Sequence, residues 1–339
     1  RLSRHHWDLR SLLFVGSLQR TIPLLADAPN QTPIGYDGQF YAELATDPFL
    51  RRPETVRALD WPHYRATRIG LPLLAWLASA GHPAAGLVLY QVLSWLLGLG
   101  LVWVLARWLA EEGHSPFWAL PVAASAGFAG SMIRCTVDAP AAALVAAALW
   151  LRSRGPRLPL ALAAGACLVR ETALIGALGL ALGEARARRW GWAAAYALAP
   201  AALLGAWLLF LRLALPGPWS APPNFAGLPF EWVRSRLAAP LSVNEGLGLA
   251  ATFLSLAGAA AVATLRRPPS ATEATYLGSV ALLSLLSLTV YEDVWAYGRA
   301  LLMLGALAAP LAEDRPGAWQ RWLLRSVTWS QAVVGLRLV

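Results

Sequence analysis

Residues 33–49, PIGYDGQFYAELATDPF, form a polar and acidic stretch in an otherwise apolar chain. Asp37 lies between Gly35 and Gly38, which let the backbone bend and direct the carboxylate into a cleft. A carboxylate in such a position can take a proton from a hydroxyl group. The tyrosines on either side offer flat apolar faces and hydroxyls that suit a sugar. The simpler alternative is a turn, because Asp-Gly is a strong turn signal.

Three arginines adjoin apolar runs: Arg134, Arg170 and Arg299. The planar guanidinium fork matches the oxygens of a phosphate, so these are the predicted phosphate ligands, Arg170 first. For Arg134 and Arg299 the alternative is anchoring at a membrane surface. For Arg170 it is a buried pair with Glu171 that neutralises itself and fixes a helix hairpin.

The composition indicates the class of protein that must position these residues. Of the 339 residues, 57% are hydrophobic and 14% charged, and 17 are Trp. Soluble domains carry about a quarter charged residues, so this is a polytopic membrane protein. The net charge of +9 does not predict nucleic-acid binding, because the arginines lie in short clusters between apolar runs.

Four uncharged runs are long enough to cross about 30 Å of hydrocarbon. They are residues 84–106, 190–211, 246–265 and 273/274–291. Five shorter runs predict tilted, short or broken helices inside a bundle. These are residues 117–133, 139–151, 158–169, 172–183 and 300–312.

Loop arginines orient the chain, because they mark the cytoplasmic face. The predicted cytoplasmic loops are 152–157, 184–190, 266–270 and 313–325. Alternation places 1–68, 132–138, 214–245 and 291–299 on the outer face. Most carboxylates away from the cytoplasmic loops then face outward, and acid chemistry is predicted there.

Residues 158–183 interrupt this alternation, because they lie between two basic loops. The chain must enter the membrane and return within this stretch, which predicts two half-length helices joined at Arg170 and Glu171. Ionisable residues at such a depth are costly and are candidates for function.

The region before the first long run is predicted to lie at the membrane surface. Residues 9–25 contain two arginines and indicate an interfacial segment, and residues 66–80 indicate an interfacial helix. Because the chain starts with Arg1, we expect that a leader or first helix is missing.

Neither a cofactor nor a metal is predicted. Asp138, Glu292 and Asp293 could hold a divalent cation together with Asp37, but no spacing demands one. The five histidines share no spacing that indicates a metal site, and the two cysteines are interpreted as apolar fillers. Three further carboxylates are interpreted as helix caps or solvated surface: Glu43, Asp47 and Asp60.

Several stretches resemble the bacterial cell-surface glycopolymer formation proteins of the GT-C superfamily of membrane glycosyltransferases. They are GYDGQFY with ATDPF, then YRATRIGLPLLAWLASAG, and later LVRETALI. The resemblance covers most of the chain and is strongest over residues 35–81. It implies an all-α GT-C-like bundle of about 8–10 transmembrane or half-spanning helices. Residues 1–83 would form an outer-face loop region and residues 84–339 the bundle.

The resemblance also implies an activity, in which a sugar moves from a polyprenyl-phosphate donor to a glycan or lipid acceptor. The protein would lie in the bacterial inner membrane with its active face outward, among membrane lipids and with possible partners in a complex. Asp37 would be the catalytic base, and Arg170 with Glu171 the charged joint of the short helices. The full set of implied substrate-binding residues is Tyr36, Gln39, Tyr41, Arg134, Arg170, Glu171 and Arg299.

Two other functions fit the sequence. A transporter places charged residues and broken helices near the membrane midplane, but it usually shows two similar halves, and no repeat is visible. A catalytically silent subunit of a membrane complex is the other alternative.

Overall fold

The computed structural model describes residues 8–29, 32–220, 230–231, 233, 242–264, 268–286, 290, 294–314 and 317–338. Helices dominate, and no β-strand occurs among these residues. An isolated β-bridge joins Gly16 to Thr32. The predicted all-α class is confirmed.

Fifteen α-helices are described, numbered here in chain order. They are α1 Asp37–Leu44, α2 Pro53–Ala58, α3 Pro62–Ala66, α4 Gly70–Ala78, α5 Pro83–Glu111, α6 Leu120–Ala123, α7 Ala126–Ile133, α8 Asp138–Leu151, α9 Arg157–Val169, α10 Leu174–Arg186, α11 Trp190–Ala214, α12 Val243–Ala263, α13 Ala271–Ser284, α14 Val294–Glu313 and α15 Ala318–Leu338.

Four helices are long and apolar enough to cross a membrane. They are Pro83–Glu111, Trp190–Ala214, Val243–Ala263 and Trp295–Glu313. The first three correspond to predicted spans. The predicted broken helix at 117–133 is a pair, Pro116–Ala123 and Ala126–Ile133, bent by 65°. The helices support a membrane protein, as the composition predicts.

Two predicted boundaries are wrong. The run at 273/274–291 predicts a span, but α13 ends at Ser284, whose hydroxyl donates a hydrogen bond back to the Ala281 carbonyl at 2.7 Å, and residues 287–289 and 291 of the run lie outside the described residues. The run at 300–312 was expected to be short, but α14 extends back to Val294. Arg299 does not end this helix, because its side chain lies among carboxylates of the protein.

The helix hairpin at 158–183 is confirmed. Helix α9 ends at Val169, Arg170 adopts an extended conformation with φ −153°, and a short 3-10 turn at Glu171–Ala173 leads into α10. The extended residue breaks the helix because its backbone cannot continue the α-helical hydrogen-bond ladder. Arg170 and Glu171 therefore sit at the tip of the hairpin.

A separate apolar cluster holds the N-terminal region together. It packs side chains from residues 12–90 against parts of α8, α9 and α11, including Ala141, Val169 and Leu211. Helix α4 lies within the predicted interfacial stretch 66–80, and 3-10 turns occur at Leu9–Leu12 and Pro23–Leu25 within 9–25. Contact of these segments with a membrane surface, and a domain boundary at 83/84, stay predictions.

Loops predicted to share a face lie together. At one end, ion pairs and hydrogen bonds join Arg154 to Glu111, Arg186 to the Pro268 carbonyl and Arg325 to Glu313. At the other end, Asp37 reaches Arg299, and Asp138 reaches Arg170. The alternation read from the arginines therefore groups the described loops correctly, while most of loop 214–245, together with Glu292 and Asp293, lies outside the described residues.

Candidate functional site

Arginines and carboxylates from distant parts of the chain meet at the end of the bundle where α5 begins. We call this group the arginine-carboxylate cluster. Its members are Asp37, Asp60, Arg65, Arg68, Arg134, Asp138, Arg170, Glu171 and Arg299. They come from the starts of α1 and α8, the loop before α3, the end of α3 and the joint after it, the end of α7, the hairpin tip and the second turn of α14.

Asp37 is the first residue of α1, and the two flanking glycines have different reasons to be glycine. Gly35 has φ +77°, a conformation that side chains with a Cβ rarely adopt, so the predicted bend is there. Gly38 lies inside the helix, where a Cβ would collide with the carbonyl oxygen of Arg134. The expectation that Gly38 permits a bend is wrong; it permits close packing of α1 against the end of α7.

The Asp37 carboxylate is held between two guanidinium groups. Its Oδ1 accepts a hydrogen bond from Arg65 at 2.7 Å, and its Oδ2 accepts one from Arg299 at 2.6 Å. Burial by itself raises the pKa of Asp37, but the charges of Arg65 and Arg299 outweigh burial and hold this pKa well below its usual value. The side chain remains 17% exposed. Asp37 is therefore an ionised, partly accessible carboxylate and more than a turn residue.

Arg170 and Glu171 are adjacent but pair with other residues. Glu171 accepts two hydrogen bonds from Arg68, at 3.0 and 2.8 Å, in the parallel arrangement that fits a guanidinium fork. Arg170 forms an ion pair with Asp138, which also accepts a hydrogen bond from Thr136 at 2.6 Å. The alternative of a self-neutralising Arg170-Glu171 pair is wrong, because the hairpin tip points its two charges at different partners.

Arg299 and Arg134 share the ring of Tyr36. Arg299 lies 5.1 Å from the ring centroid and bridges Asp37 to Asp138, whose Oδ2 is 3.5 Å away. Arg134 lies 4.0 Å from the same centroid and 4.6 Å from that of Trp295. Within the described part of the chain, Arg134 forms no ion pair. Cation-π contacts place this arginine without neutralising it.

Among the described residues, the cluster has one more arginine than it has carboxylates. Its five arginines face four carboxylates, and Arg134 is the arginine without a carboxylate partner there. An anion that balances this charge would lie near Arg134, beside Tyr36 and Asp37. A half-buried arginine of this kind is a suitable ligand for phosphate.

Two of the predicted substrate-binding residues face the interior. Gln39 is completely buried, and its Oε1 accepts a hydrogen bond from the Gly16 backbone at 2.8 Å. Tyr41 is also completely buried, and its hydroxyl accepts a hydrogen bond from Arg68 at 2.7 Å. Helix α1 is buried on almost all sides, so these side chains support the cluster from behind. Of the predicted set, Tyr36, Arg134, Arg170, Glu171 and Arg299 are the residues that the structure brings around Asp37.

Sequence reasoning missed Arg65, Arg68 and the role of Asp60. Asp60 is exposed, as expected, but it also accepts two hydrogen bonds from Arg65, each at 2.8 Å. Arg68 connects α1 to the hairpin through Tyr41 and Glu171. The spacing of the two arginines was the available signal, because residues three apart share one side of a helical turn.

Glu43 was also misjudged as a cap or surface residue. Its side chain is completely buried, and neither carboxylate oxygen makes a well-formed hydrogen bond within the described residues. Burial raises the pKa of Glu43 well above its usual value, and the Ile22 backbone and Gln39 amide offset only part of this effect. Asp47 is buried as well, and it accepts hydrogen bonds from the backbone of Arg51 and Arg52, which precede α2, so it fixes a loop and does not cap a helix.

Possible metal ligands group elsewhere. In the described ranges, the group whose ligand atoms all lie within 4.8 Å of one another is Glu112, His114 and Asp314, at the far end of α5. His114 is the histidine of this group, and its neighbours there are carboxylates and not other histidines. Asp138, a possible ligand beside Asp37, is occupied by Arg170, Arg299 and Thr136.

The cluster can perform two kinds of chemistry. An ionised carboxylate can accept a proton, and the surrounding guanidinium groups can hold an anion. The family resemblance of the sequence stays a prediction. Comparisons of the chain with protein-family models, with curated proteins and with solved structures found no match.

Proposed function

We propose that this chain is a membrane glycosyltransferase of the GT-C kind. In this proposal it transfers a sugar from a polyprenyl-phosphate donor to a glycan or lipid acceptor on the outer face. One observation carries the proposal: a partly accessible, ionised Asp37 lies beside an arginine, Arg134, that has no carboxylate partner in the described chain. A proton acceptor and an anion site next to each other are what transfer from a sugar phosphate to a hydroxyl requires.

The reaction would be a single displacement. The acceptor hydroxyl oxygen attacks the anomeric carbon, its proton passes to an oxygen of Asp37, and the bond from the anomeric carbon to the phosphate oxygen breaks. The polyprenyl phosphate leaves with the bonding electron pair. Its negative charge would be held by Arg134 and, after exchange of partners, by Arg299 and Arg170.

Exchange of partners is needed because Asp37 is a weak base in the conformation described. Two arginines occupy its oxygens, and the lowered pKa means a low affinity for a proton. A donor phosphate competes for the same guanidinium groups. When Arg299 turns from Asp37 to the phosphate, one carboxylate oxygen becomes free, so donor binding would prepare the base for the acceptor.

A transfer assay tests the proposal. Membranes containing the chain are incubated with radiolabelled polyprenyl-phosphate sugars or with the corresponding nucleotide sugars. We expect label to move only from the lipid-linked donor, and only where the chain is present. Passage of labelled lipid or sugar across the membrane without a new glycosidic bond would instead favour a transporter. Absence of both activities, with recovery on adding a partner protein, would favour a silent subunit.

A further inference from the structure

An open groove lies at the far end of α8 from the cluster. Its volume is about 650 Å³, and it is formed where the turn after α8 meets the first turns of α9 and α11. The 14 residues of α8 separate it from Asp138 by about 20 Å. The groove therefore does not belong to the arginine-carboxylate cluster.

The wall of the groove is built from fixed backbone. The Tyr196 hydroxyl donates a hydrogen bond to the Pro156 carbonyl at 2.9 Å, which ties the turn to α11. Arg154 forms an ion pair with Glu111 at 2.5 Å and lies 4.8 Å from the ring centroid of Trp150. Gly155 allows the turn with φ +131°. These contacts fix the backbone of the turn and the side chain of Arg154, so the groove has a defined wall.

Arg157 differs from the other arginines of this loop. Its exposed side chain makes neither an ion pair nor a hydrogen bond in the described part of the chain. It is also the first residue of α9, where the positive end of the helix dipole makes a cation unfavourable. An anion bound next to Arg157 would relieve this repulsion and supply the missing counter-charge.

The remaining lining is apolar. Leu151, Leu158 and Trp192 contribute to the groove, and Leu158 is 57% exposed. Trp190, at the start of α11, is 68% exposed. Tryptophan at such a position is typical of the boundary between lipid headgroups and acyl chains. The groove combines one basic edge with an apolar floor.

We propose that this groove binds an anionic phospholipid, with the phosphate headgroup on Arg157 and an acyl chain along Leu158 and Trp192. Charge complementarity favours an anionic lipid over a zwitterionic one, because the edge of the groove has an arginine without a counter-charge. Basic pockets between helices on the arginine-rich side of a membrane protein are suited to such headgroups. The proposal does not depend on the activity of the cluster.

Native mass spectrometry of the full chain, purified in detergent, tests this site. Phosphatidylglycerol or phosphatidylcholine is added at matched concentrations to the wild type, to Arg157→Gln and to the control Arg188→Gln. Arg188 is an exposed arginine in another basic loop of the same end. We expect the wild type and the control to retain phosphatidylglycerol equally, and Arg157→Gln to bind it about fivefold more weakly.

Thermal unfolding in nanodiscs gives a second measurement. Phosphatidylglycerol should raise the Tm of the wild type relative to phosphatidylcholine, and Arg157→Gln should lose most of this increase while unfolding at the wild-type temperature in phosphatidylcholine. Equal retention of the anionic lipid by the wild type and Arg157→Gln would overturn the proposal. Equal retention of the two lipids by the wild type would overturn it as well.

Discussion

At the scale of single residues, the state of Asp37 decides how the cluster can work. The carboxylate is ionised and paired with both Arg65 and Arg299. These two arginines lower its affinity for a proton, so they oppose its use as a base. Arg134, in contrast, is held by aromatic rings and remains available for an anion. Phosphate binding and base release are therefore coupled in the proposed reaction.

Arg134→Gln tests the anion site. The substitution removes a charged ligand while leaving the ion pairs of the cluster intact, so the KM for the lipid-linked donor should rise by about 10- to 100-fold, as expected for a hydrogen bond to a charged group. Steady-state transfer kinetics measure this change. Arg51→Gln is the control, because Arg51 also lies over a ring, that of Phe49, but outside the cluster. Unchanged donor use in Arg134→Gln would contradict a role in phosphate binding.

Arg170→Ala is a less direct test than the sequence suggested. Arg170 pairs with the buried Asp138, which would otherwise keep only the Arg299 contact at 3.5 Å and the Thr136 hydrogen bond, so removal of Arg170 weakens the charge balance of Asp138 and destabilises the hairpin tip. Loss of activity in that variant would not separate donor binding from folding. Arg134 has no such buried partner in the described chain.

Glu43→Gln should show a pH-dependent gain in stability. The folded chain holds the Glu43 proton because burial raises its pKa, whereas the unfolded chain releases it near pH 4. The contribution of Glu43 to stability is therefore complete below about pH 4 and falls as pH rises toward the folded pKa.

The difference in free energy of unfolding between Glu43→Gln and the wild type should accordingly move in favour of the variant as pH rises above about 5 toward the folded pKa, with a limiting slope of about 1.4 kcal/mol per pH unit. Thermal unfolding in detergent over a series of pH values measures this difference. A difference that is constant with pH would show that Glu43 is ionised in the folded chain.

The residues of the cluster were only partly predictable from the sequence. Arg134, Arg170 and Arg299 stood out because a charge next to an apolar run is unusual, and Asp37 stood out as a carboxylate between two glycines in a polar stretch. Arg65 and Arg68 did not, because they lie around the start of the predicted interfacial helix 66–80, where an arginine is ordinary. Their burial comes from packing of α1 and the hairpin tip against them, which spacing along the chain does not encode.

At the scale of elements, the site depends on one close approach. Helix α1 touches the end of α7 at Gly38, so Asp37 and Arg134 are positioned by the same contact. The hairpin of α9 and α10 brings Arg170 and Glu171 to the same place from another part of the chain.

Gly38→Ala should separate these two elements. Its Cβ would collide with the Arg134 carbonyl, and we expect a loss of stability of about 1–3 kcal/mol together with loss of activity. Gly165→Ala is the matched control, because nothing lies within 4 Å of a Cβ at that position of α9. The control should be neutral or up to about 1 kcal/mol more stable. Thermal unfolding compares the two, and equal stability of both variants would contradict the close contact at Gly38.

Helix boundaries were predicted well where an uncharged apolar run was also long enough to span a membrane. The spans at 84–106, 190–211 and 246–265 are continuous apolar runs, and the extended Arg170 divides two half-length helices as expected. The error at α14 has a different origin from the error at α13. The run at 300–312 assumes that a charge ends a helix, whereas Arg299 is accommodated within α14 by partners from other elements.

At the scale of the whole molecule, the arrangement of loops predicts which end faces outward. The described loops fall into two groups, one at each end of the bundle. The cluster lies at the end opposite the described parts of the basic loops 152–157, 184–190, 266–270 and 313–325. Orientation by loop arginines then places the cluster outside and the lipid groove inside.

Cysteine labelling on whole cells tests this orientation. Leu18→Cys should react with an impermeant thiol reagent added from outside, and Ser153→Cys should react only after permeabilisation. Leu18 is 80% exposed and Ser153 is exposed, whereas Gly38 is buried and unsuitable for a label. The native Cys135 and Cys167 are buried, so their background should be low. Labelling in the reverse order would place the cluster on the cytoplasmic side.

The transfer rate of Asp37→Asn tests the central claim most directly. Asparagine keeps the size of the side chain but cannot take the acceptor's proton, so transfer from the lipid-linked donor should fall by about 10²–10⁴-fold. Asn is also a good turn residue, so a local role in the turn would survive the substitution. Donor binding and expression are measured alongside to show that the variant is folded. Transfer at the wild-type rate by Asp37→Asn would contradict the assignment of Asp37 as the base.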